Sequence, residues 1–250
     1  MARHFFISEE NIQGKKACLD RYESHHLISV MRKKLGDSVE LLTGKGKLYS
    51  GKISQLAPHV EIDILSSRIQ EEANAPLLTL CPALLKNTKM DWLIEKSCEL
   101  GIHRILPFEA EHCVVKVEKD DNKKILRWEK IAQESIKQSG RGLLPQIGPI
   151  LSFKDILLKF KDRDCLKLMF SVENIHSLPL AELATYIRQK NENSEWIFLI
   201  GPEGGFAPEE EKQAQEFGFQ LCSLGTHTLR AETAAVSALS ILNFLKESMK

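Results

Sequence analysis

Two glycine-rich segments near the carboxyl terminus hold the residues best placed to do chemistry in this chain. The first reads LIGPEGGF at residues 199–206, and the second reads LGTHTLRAETAA at residues 224–235. Each joins an apolar run to a glycine turn and then to a helix start. Glycine tolerates a positive φ and leaves space for a ligand to approach the backbone. We therefore expect both turns to present backbone amides to one ligand from neighbouring strand ends.

Neither segment matches the common phosphate or dinucleotide loops. The first lacks the Gly-Lys-Ser/Thr ending of a phosphate-binding loop, which disfavours an NTPase. It also lacks G-x-G-x-x-G, which disfavours an open dinucleotide-binding fold. A plain turn between a strand and a helix is the structural alternative for the first segment alone. The second segment, which follows about twenty residues later, favours a ligand site.

The elements around these segments indicate two domains in an α/β chain. Residues 3–68 carry short alternating strands with glycine turns, which is typical of a small β-barrel. A polar stretch ending in Pro76 predicts a linker, so we expect domains at 1–70 and 76–250. From residue 77 onward strands and helices alternate, which predicts a mostly parallel sheet with helices on both faces.

Local signals place several helix starts and core residues. Ser24 is expected to cap a short helix, Ser152 to open another with Asp155, and Pro208 to begin a third. Trp92 and Trp128 are expected to anchor the core rather than to stack on bases.

The composition and the distribution of charge limit the possible partners of the protein. Apolar residues make up 43% of the 250 residues, and 34 basic residues balance 34 acidic ones. Basic residues cluster in the amino-terminal part, which fits RNA held at that end, although a solvated surface is the alternative. The residues of this basic segment are Arg32, Lys33, Lys34, Lys45, Lys47 and Lys52.

Targeting and metal signals are missing from the sequence. No run approaches the length of a membrane span and no signal peptide is evident, so we expect a cytoplasmic protein. The six cysteines form no C-x-x-C motif and the eight histidines form no His-x-x-x-His pair, so no metal site is predicted.

The two glycine-rich segments together resemble the donor loops of SPOUT RNA methyltransferases. GPEGGF followed by LRAETAA resembles one family in particular, the RsmE-type 16S rRNA (uracil-N3)-methyltransferases. Other stretches with the same resemblance are RHFF at 3–6, residues 25–37, KMDWLIEK at 89–96, ELG at 99–101, RW at 127–128 and QSGR at 138–141.

The resemblance implies a PUA-like RNA-binding domain, a SPOUT domain with a trefoil knot, and a homodimer. It also implies S-adenosylmethionine as cofactor and 16S rRNA or the small ribosomal subunit as partner. The implied donor-binding residues are Phe170, Ile200, Gly201, Glu203, Gly204, Gly205, Leu224, Gly225 and Leu229. The implied RNA-binding residues are Arg3, Arg32, Lys33, Lys34, Lys45 and Lys47.

Methylation of uracil N3 requires loss of the imide proton, and the negative charge spreads onto O2 and O4. Arg230 and Arg141 are the cations expected to stabilise that charge, and Glu232 is the nearest base. Arg230 could instead form a surface or intersubunit salt bridge, and Glu232 could satisfy helix amides. His112 and His227 stand where the family usually has arginine.

Two other functions remain open from the sequence. One is a different SPOUT activity, such as ribose 2′-O-methylation, which would share the donor loops. The other is a non-catalytic RNA-binding protein that keeps the knot.

Overall fold

The computed structural model describes residues 4–70, 76–116, 121–171, 177–190 and 194–248. Arg3 and most of the predicted linker lie outside these residues. The chain forms two compact units: the first comprises Met1–Glu72 with Ala132–Leu144, and the second comprises Ala73–Ile131 with Pro145–Lys250. A segment from the middle of the chain thus belongs to the amino-terminal unit.

The first unit is built on a six-stranded sheet. Its strands are β1 (His4–Phe6), β2 (Ile12–Gln13), β3 (Lys16–Cys18), β4 (Ser38–Leu42), β5 (Lys47–Gln55) and β6 (Glu61–Ile69). Their order is β1-β4-β5-β6-β3-β2. Strand β1 pairs with β4 in parallel, and the other pairs are antiparallel. Alternating apolar residues such as Leu41 and Ile53 fill the core beneath the sheet.

The short helical part of this unit begins earlier than the sequence predicts. A 3₁₀ turn covers Glu9–Asn11, helix α1 covers Arg21–His25, and a π-helical turn continues through His26–Val30. The side chain of Asp20 caps α1 by accepting a hydrogen bond from the Glu23 amide at 2.8 Å. The predicted cap at Ser24 is therefore wrong, because its hydroxyl donates to the Leu19 carbonyl instead.

The second unit is an α/β layer structure. The strands of its main sheet are β7 (Leu77–Pro82), β8 (Arg104–Ile105), β10 (Gln146–Ile147), β12 (Leu166–Phe170), β13 (Glu195–Ile200) and β14 (Gln220–Cys222). This sheet is parallel and has the order β10-β8-β7-β13-β12-β14. A separate parallel pair joins β9 (Phe108–Glu109) to β11 (Leu151–Ser152).

Helices follow most of these strands, as the alternating pattern predicts. They are α2 (Asn87–Glu99), α3 (Asn122–Ser139), α4 (Phe153–Phe160), α5 (Leu180–Gln189), α6 (Pro208–Glu216) and α7 (Ala231–Ser248). From Ala132 on, α3 belongs to the first unit. In the described part of the chain, no helix combines the length and apolar character needed to cross a bilayer.

Local helix signals are mostly confirmed. Ser152 caps α4 and exchanges hydrogen bonds with Asp155, and Pro208 begins α6. Trp128 is buried, with 4% of its surface exposed. The prediction that Trp92 is a core residue is wrong, because 41% of its surface is exposed. Position in a helical period identifies a face, but only the neighbouring elements determine whether that face is covered.

Candidate functional site

Three parallel strands end side by side at one edge of the second sheet. The register pairs Phe170 of β12 with Ile200 of β13 and with Cys222 of β14. Both glycine-rich loops start at these strand ends. The carboxyl edge of a parallel sheet is where open α/β folds bind ligands. Both loops therefore leave the same edge of the sheet, but the expectation that their strand ends are neighbours is wrong, because β12 lies between β13 and β14.

The loop after β14 forms one wall of a small open cleft at the sheet edge. The cleft is lined by Phe170, Ser171, Ser223, Leu224, Gly225, His227, Leu229 and Ala234. Gly225 has a φ of +119°, and a Cβ added there would meet nothing within 4 Å. Glycine is thus required by the backbone conformation, and open space lies above it.

The walls of this cleft are apolar, with a few polar groups. Phe170 packs edge-on against Phe198 at 6.4 Å between ring centroids. Ser223 donates its hydroxyl to the Gly225 carbonyl at 3.0 Å and accepts from the Gly225 amide at 3.2 Å. Burial raises the pKa of the neighbouring Cys222 thiol to about 12, so it stays neutral and is no nucleophile.

The loop after β13 is shaped by its own side chains. A Cβ on Gly201 would lie 3.0 Å from the Phe206 ring. That ring stacks on Phe108 with centroids 6.3 Å apart. A Cβ on Gly204 would lie 3.0 Å from the Cβ of His112, whose Nδ1 lies 3.2 Å from the Gly204 carbonyl. Neighbouring side chains, Phe206 and His112, therefore leave little space for a side chain at Gly201 and Gly204, and no ligand is needed to explain these glycines.

A single lysine connects the two glycine-rich segments. Lys89, on α2, has its Nζ 2.8 Å from Glu203 Oε1 and 3.8 Å from Glu232 Oε2. Partial burial raises the pKa of Glu203, but the hydrogen bond from Lys89, a backbone hydrogen bond and the charges of Lys89 and Lys86 together outweigh it, so the pKa is lowered overall. The Oε2 atom of Glu232 is buried and accepts no hydrogen bond from any described residue.

The two charged residues at the start of α7 differ in their surroundings. Arg230 is exposed, and its carbonyl accepts the Ala234 amide at 2.8 Å. No carboxylate of the described residues forms an ion pair with it. The side chain of Glu232 is only 13% exposed. Arg230 is therefore available to a substrate, whereas Glu232 is held near Lys89.

The predicted donor residues fall into two groups. Phe170, Leu224, Gly225 and Leu229 line the cleft. Ile200, Gly201, Glu203, Gly204 and Gly205 form the neighbouring strand end and loop, and Gly205 takes a φ of +73°. Sequence reasoning missed Ser171, Ser223, Ala234 and Lys89. Ser171 directly follows an apolar strand, which is the one signal that could have identified it.

The predicted RNA-binding residues that the structure describes, Arg32, Lys33, Lys34, Lys45 and Lys47, lie in the first unit, as does Arg141. Arg32 is exposed and has a φ of 51°, while Lys33 donates from its ammonium to the Ser38 carbonyl at 3.3 Å. Lys34 is exposed. Lys45 pairs with Glu9 at 2.8 Å. Among the described residues, no group of three or more potential ligands could hold a metal ion.

Comparison with protein families identifies both parts of the chain. Residues 72–243 match the model of an RNA methyltransferase domain, and residues 19–65 match that of an RNA methyltransferase PUA domain. The first match alone covers more than half of the chain.

Several similar proteins are named ribosomal RNA small subunit methyltransferase E. Ribosomal RNA small subunit methyltransferase E from Synechocystis is 32% identical over 99% of this chain and 79% of its own length. The enzyme of that name from Bacillus subtilis is 29% identical over 91% of this chain and 90% of its own length. A crystal structure of the Neisseria gonorrhoeae enzyme bound to S-adenosyl methionine superposes with a TM-score of 0.84, at 31% identity and 97% coverage of both chains. With its two domain matches and this fold, the chain belongs to the family of ribosomal RNA small subunit methyltransferase E.

Proposed function

We propose that this protein transfers a methyl group from S-adenosylmethionine to N3 of a uridine in 16S rRNA. Family membership and the Neisseria relative with bound donor support the reaction class. The observation that carries the proposal is the cleft at the ends of β12 and β14. Its apolar wall and the open space above Gly225 suit an aromatic, partly polar ligand held by backbone groups.

The residues of the cleft fit the donor. Phe170, Leu224 and Leu229 would pack against its adenine, and the backbone of Gly225 with the loop at 201–205 would hold its polar parts. The bound donor supplies an electrophilic methyl group on a sulfonium. The protein then has to hold uracil N3 in line with that methyl group, at about 3–3.5 Å.

Two charged residues at the start of α7 would assist the acceptor. The exposed guanidinium of Arg230 would stabilise the negative charge on the uracil oxygens as the N3 proton leaves. The carboxylate of Glu232, whose side chain is 13% exposed, is the acceptor that we propose for this proton. Arg141, the other cation that the sequence suggests, lies in the first unit.

The test is transfer of a labelled methyl group to 16S rRNA, both free and in small subunits, followed by nucleoside mass spectrometry. We expect N3-methyluridine with the wild-type protein and almost none with Arg230→Ala. A ribose 2′-O-methylated product would assign the chain to the other SPOUT activity. Donor binding without transfer to either substrate would support the non-catalytic alternative.

We further propose that the protein is a cytoplasmic homodimer that associates through the second unit. Helices α2 and α7 pack together, and each carries an exposed aromatic residue. Phe244 is 70% exposed and Trp92 is 41% exposed. Exposed aromatic side chains on two packed helices are the candidates that we propose for this interface.

Sedimentation velocity tests the dimer. Phe244→Glu should yield monomers, because a carboxylate would be buried in the interface. Leu158→Glu, at a similarly exposed position on α4, serves as the control and should remain dimeric. A dimer that tolerates Phe244→Glu would show that α7 is not the interface.

A further inference from the structure

Lys89 occupies a position on α2 that the helix itself does not favour. It lies in the first turn of α2, and this turn contains no acidic residue. The positive end of the helix dipole is located here and repels a cation. The next residue, Met90, is 1% exposed, so the start of the helix is packed against the core. The position of the Lys89 ammonium is therefore determined by partners outside α2.

These partners are two carboxylates, one on each glycine-rich segment. The Lys89 ammonium donates to Glu203 Oε1 at 2.8 Å, and Glu232 Oε2 lies 3.8 Å from the same nitrogen. The second distance is a charge contact without a hydrogen bond, and Oε2 accepts none from any other described residue. The side chains of Lys89, Glu203 and Glu232 are 31%, 29% and 13% exposed, so solvent screens the charge of Glu232 least.

The first glycine-rich loop has other anchors besides the lysine. His112 Nδ1 lies 3.2 Å from the Gly204 carbonyl. The buried carboxylate of Glu210 accepts the Ala207 amide at 3.0 Å and the Glu111 amide at 2.9 Å. These contacts fix the loop to the segment that precedes α3. Loss of the lysine ammonium should therefore leave the loop, and with it most of the donor site, in place.

The Glu232 carboxylate has fewer contacts to hold it. In the part of the chain that the structure describes, Lys89 is the one cation that forms an ion pair with it. Removal of the ammonium would leave a mostly buried carboxylate without a counter-ion. Such a group turns toward water or takes up a proton. In either case the carboxylate could no longer accept a proton from the correct position.

We propose that Lys89 is a positioning residue for methyl transfer, which holds the Glu232 carboxylate in place and charged beside the first glycine-rich loop. The inference rests on the proposed function, in which Glu232 accepts the N3 proton. The contribution of Lys89 lies in the rate of transfer and not in donor affinity. A reacting group that is misplaced by about 1 Å can lower a rate by about 10²-fold.

The experiment compares kcat for methyl transfer to 16S rRNA with donor affinity from calorimetry. In Lys89→Met, kcat should fall by about 10–100-fold, while donor affinity should change by at most about fivefold. Lys89→Arg should restore most of kcat, because a cation again faces both carboxylates. In a Glu232→Gln background, Lys89→Met should lower kcat no further, because the two side chains act as one unit.

Lys96→Met is the matched control. Lys96 lies on the same helix, is also 31% exposed and also contacts two carboxylates, those of Glu95 and Glu99, each at 2.8 Å. Both carboxylates belong to α2 and not to the glycine-rich segments. Its replacement should leave kcat and donor affinity unchanged. The melting temperatures of Lys89→Met and Lys96→Met show whether a fall in kcat reflects loss of folded protein.

Three results would overturn the proposal. They are a normal kcat in Lys89→Met, a further fall in kcat when Lys89→Met is added to Glu232→Gln, and a loss of donor affinity as large as the fall in kcat. The third result would make Lys89 a donor-binding residue. Failure of the proposed function is distinguishable, because a wild-type protein that methylates neither the transcript nor small subunits refutes both. An active wild-type protein with any of the three results refutes the role of Lys89 alone.

Discussion

Replacing Lys137 by methionine tests the buried charge that anchors α3 in the first unit. The side chains of Lys137 and Glu23 are 2% and 5% exposed, and their charged atoms lie 2.7 Å apart. A second carboxylate, Glu134, lies 2.9 Å from the same ammonium but is 44% exposed. Removal of Lys137 would leave Glu23 as an uncompensated buried charge, with its Oε2 already unbonded.

The expected loss is about 3–5 kcal/mol, the usual cost of breaking a buried pair by removing one partner. With a urea m-value of about 2 kcal/mol/M, the transition of the first unit should move down by about 1.5–2.5 M. The double variant Lys137→Met with Glu23→Leu should recover most of this loss. Apolar side chains of similar volume replace a buried pair at little net cost.

The pH dependence of the folding stability provides an independent test of the Lys137–Glu23 pair. Burial raises the pKa of Glu23, so the stability that protonation of this group contributes is complete below its ordinary value of 4.5 and is lost as pH rises through the higher folded-state pKa. The loss in free energy of unfolding caused by Lys137→Met should therefore be smaller at acidic pH. Burial lowers the pKa of Lys137, but its two carboxylates outweigh this and the pKa is raised overall. The contribution of Lys137 should thus be complete below pH 10.5 and disappear as pH rises through the higher folded-state pKa.

Urea denaturation followed by circular dichroism measures these effects, with a probe in each unit because two units need not unfold together. A loss below about 1 kcal/mol in Lys137→Met would refute the reasoning, since that is the range of an exposed pair. A double variant as unstable as the single one would also refute it. Steric damage, rather than an unpaired charge, would then explain the loss.

Three further variants test the second unit. Arg230→Ala should lower kcat by about 10²–10³ with little change in KM, because a donor to a developing anion is lost. Steady-state kinetics and sedimentation velocity test this prediction. A structural role for Arg230 would instead appear as loss of the dimer. Gly201→Val should weaken donor binding in calorimetry, because its Cβ would displace Phe206; normal affinity would contradict this. Lys89→Met should weaken donor binding by at most about fivefold, since a partly exposed pair contributes about 0.2–1 kcal/mol, and Lys89→Arg should restore it.

The sequence alone predicted the alternation of strands and helices in the second unit and the location of both glycine-rich loops. Alternating apolar runs and glycine turns identified the strands, and Ser152 and Pro208 identified helix starts. These signals are local, because capping and turn formation involve residues only a few positions apart. The family resemblance, which rests on the two glycine-rich segments, is also confirmed. The trefoil knot stays a prediction.

Other features depend on contacts between distant parts of the chain. Lys89 meets Glu203 and Glu232 across more than a hundred residues, and no local pattern indicates such a meeting. The exposure of Trp92 likewise depends on what covers its helix face. The sequence-based reason given for Gly201, approach of a ligand, omitted the packing of Phe206, which only the fold shows.

The sequence by itself determined the chemistry that this chain can present: two glycine turns at strand ends, a charged helix start and a basic amino-terminal segment. The tertiary structure decided which of these residues come together. Strand order placed Ser171 and Ser223 in one cleft, and long-range pairing placed Leu143 beside Lys45 in the first unit. Residue type and spacing fix local conformation, whereas the register between distant segments is set by the packing of the whole core.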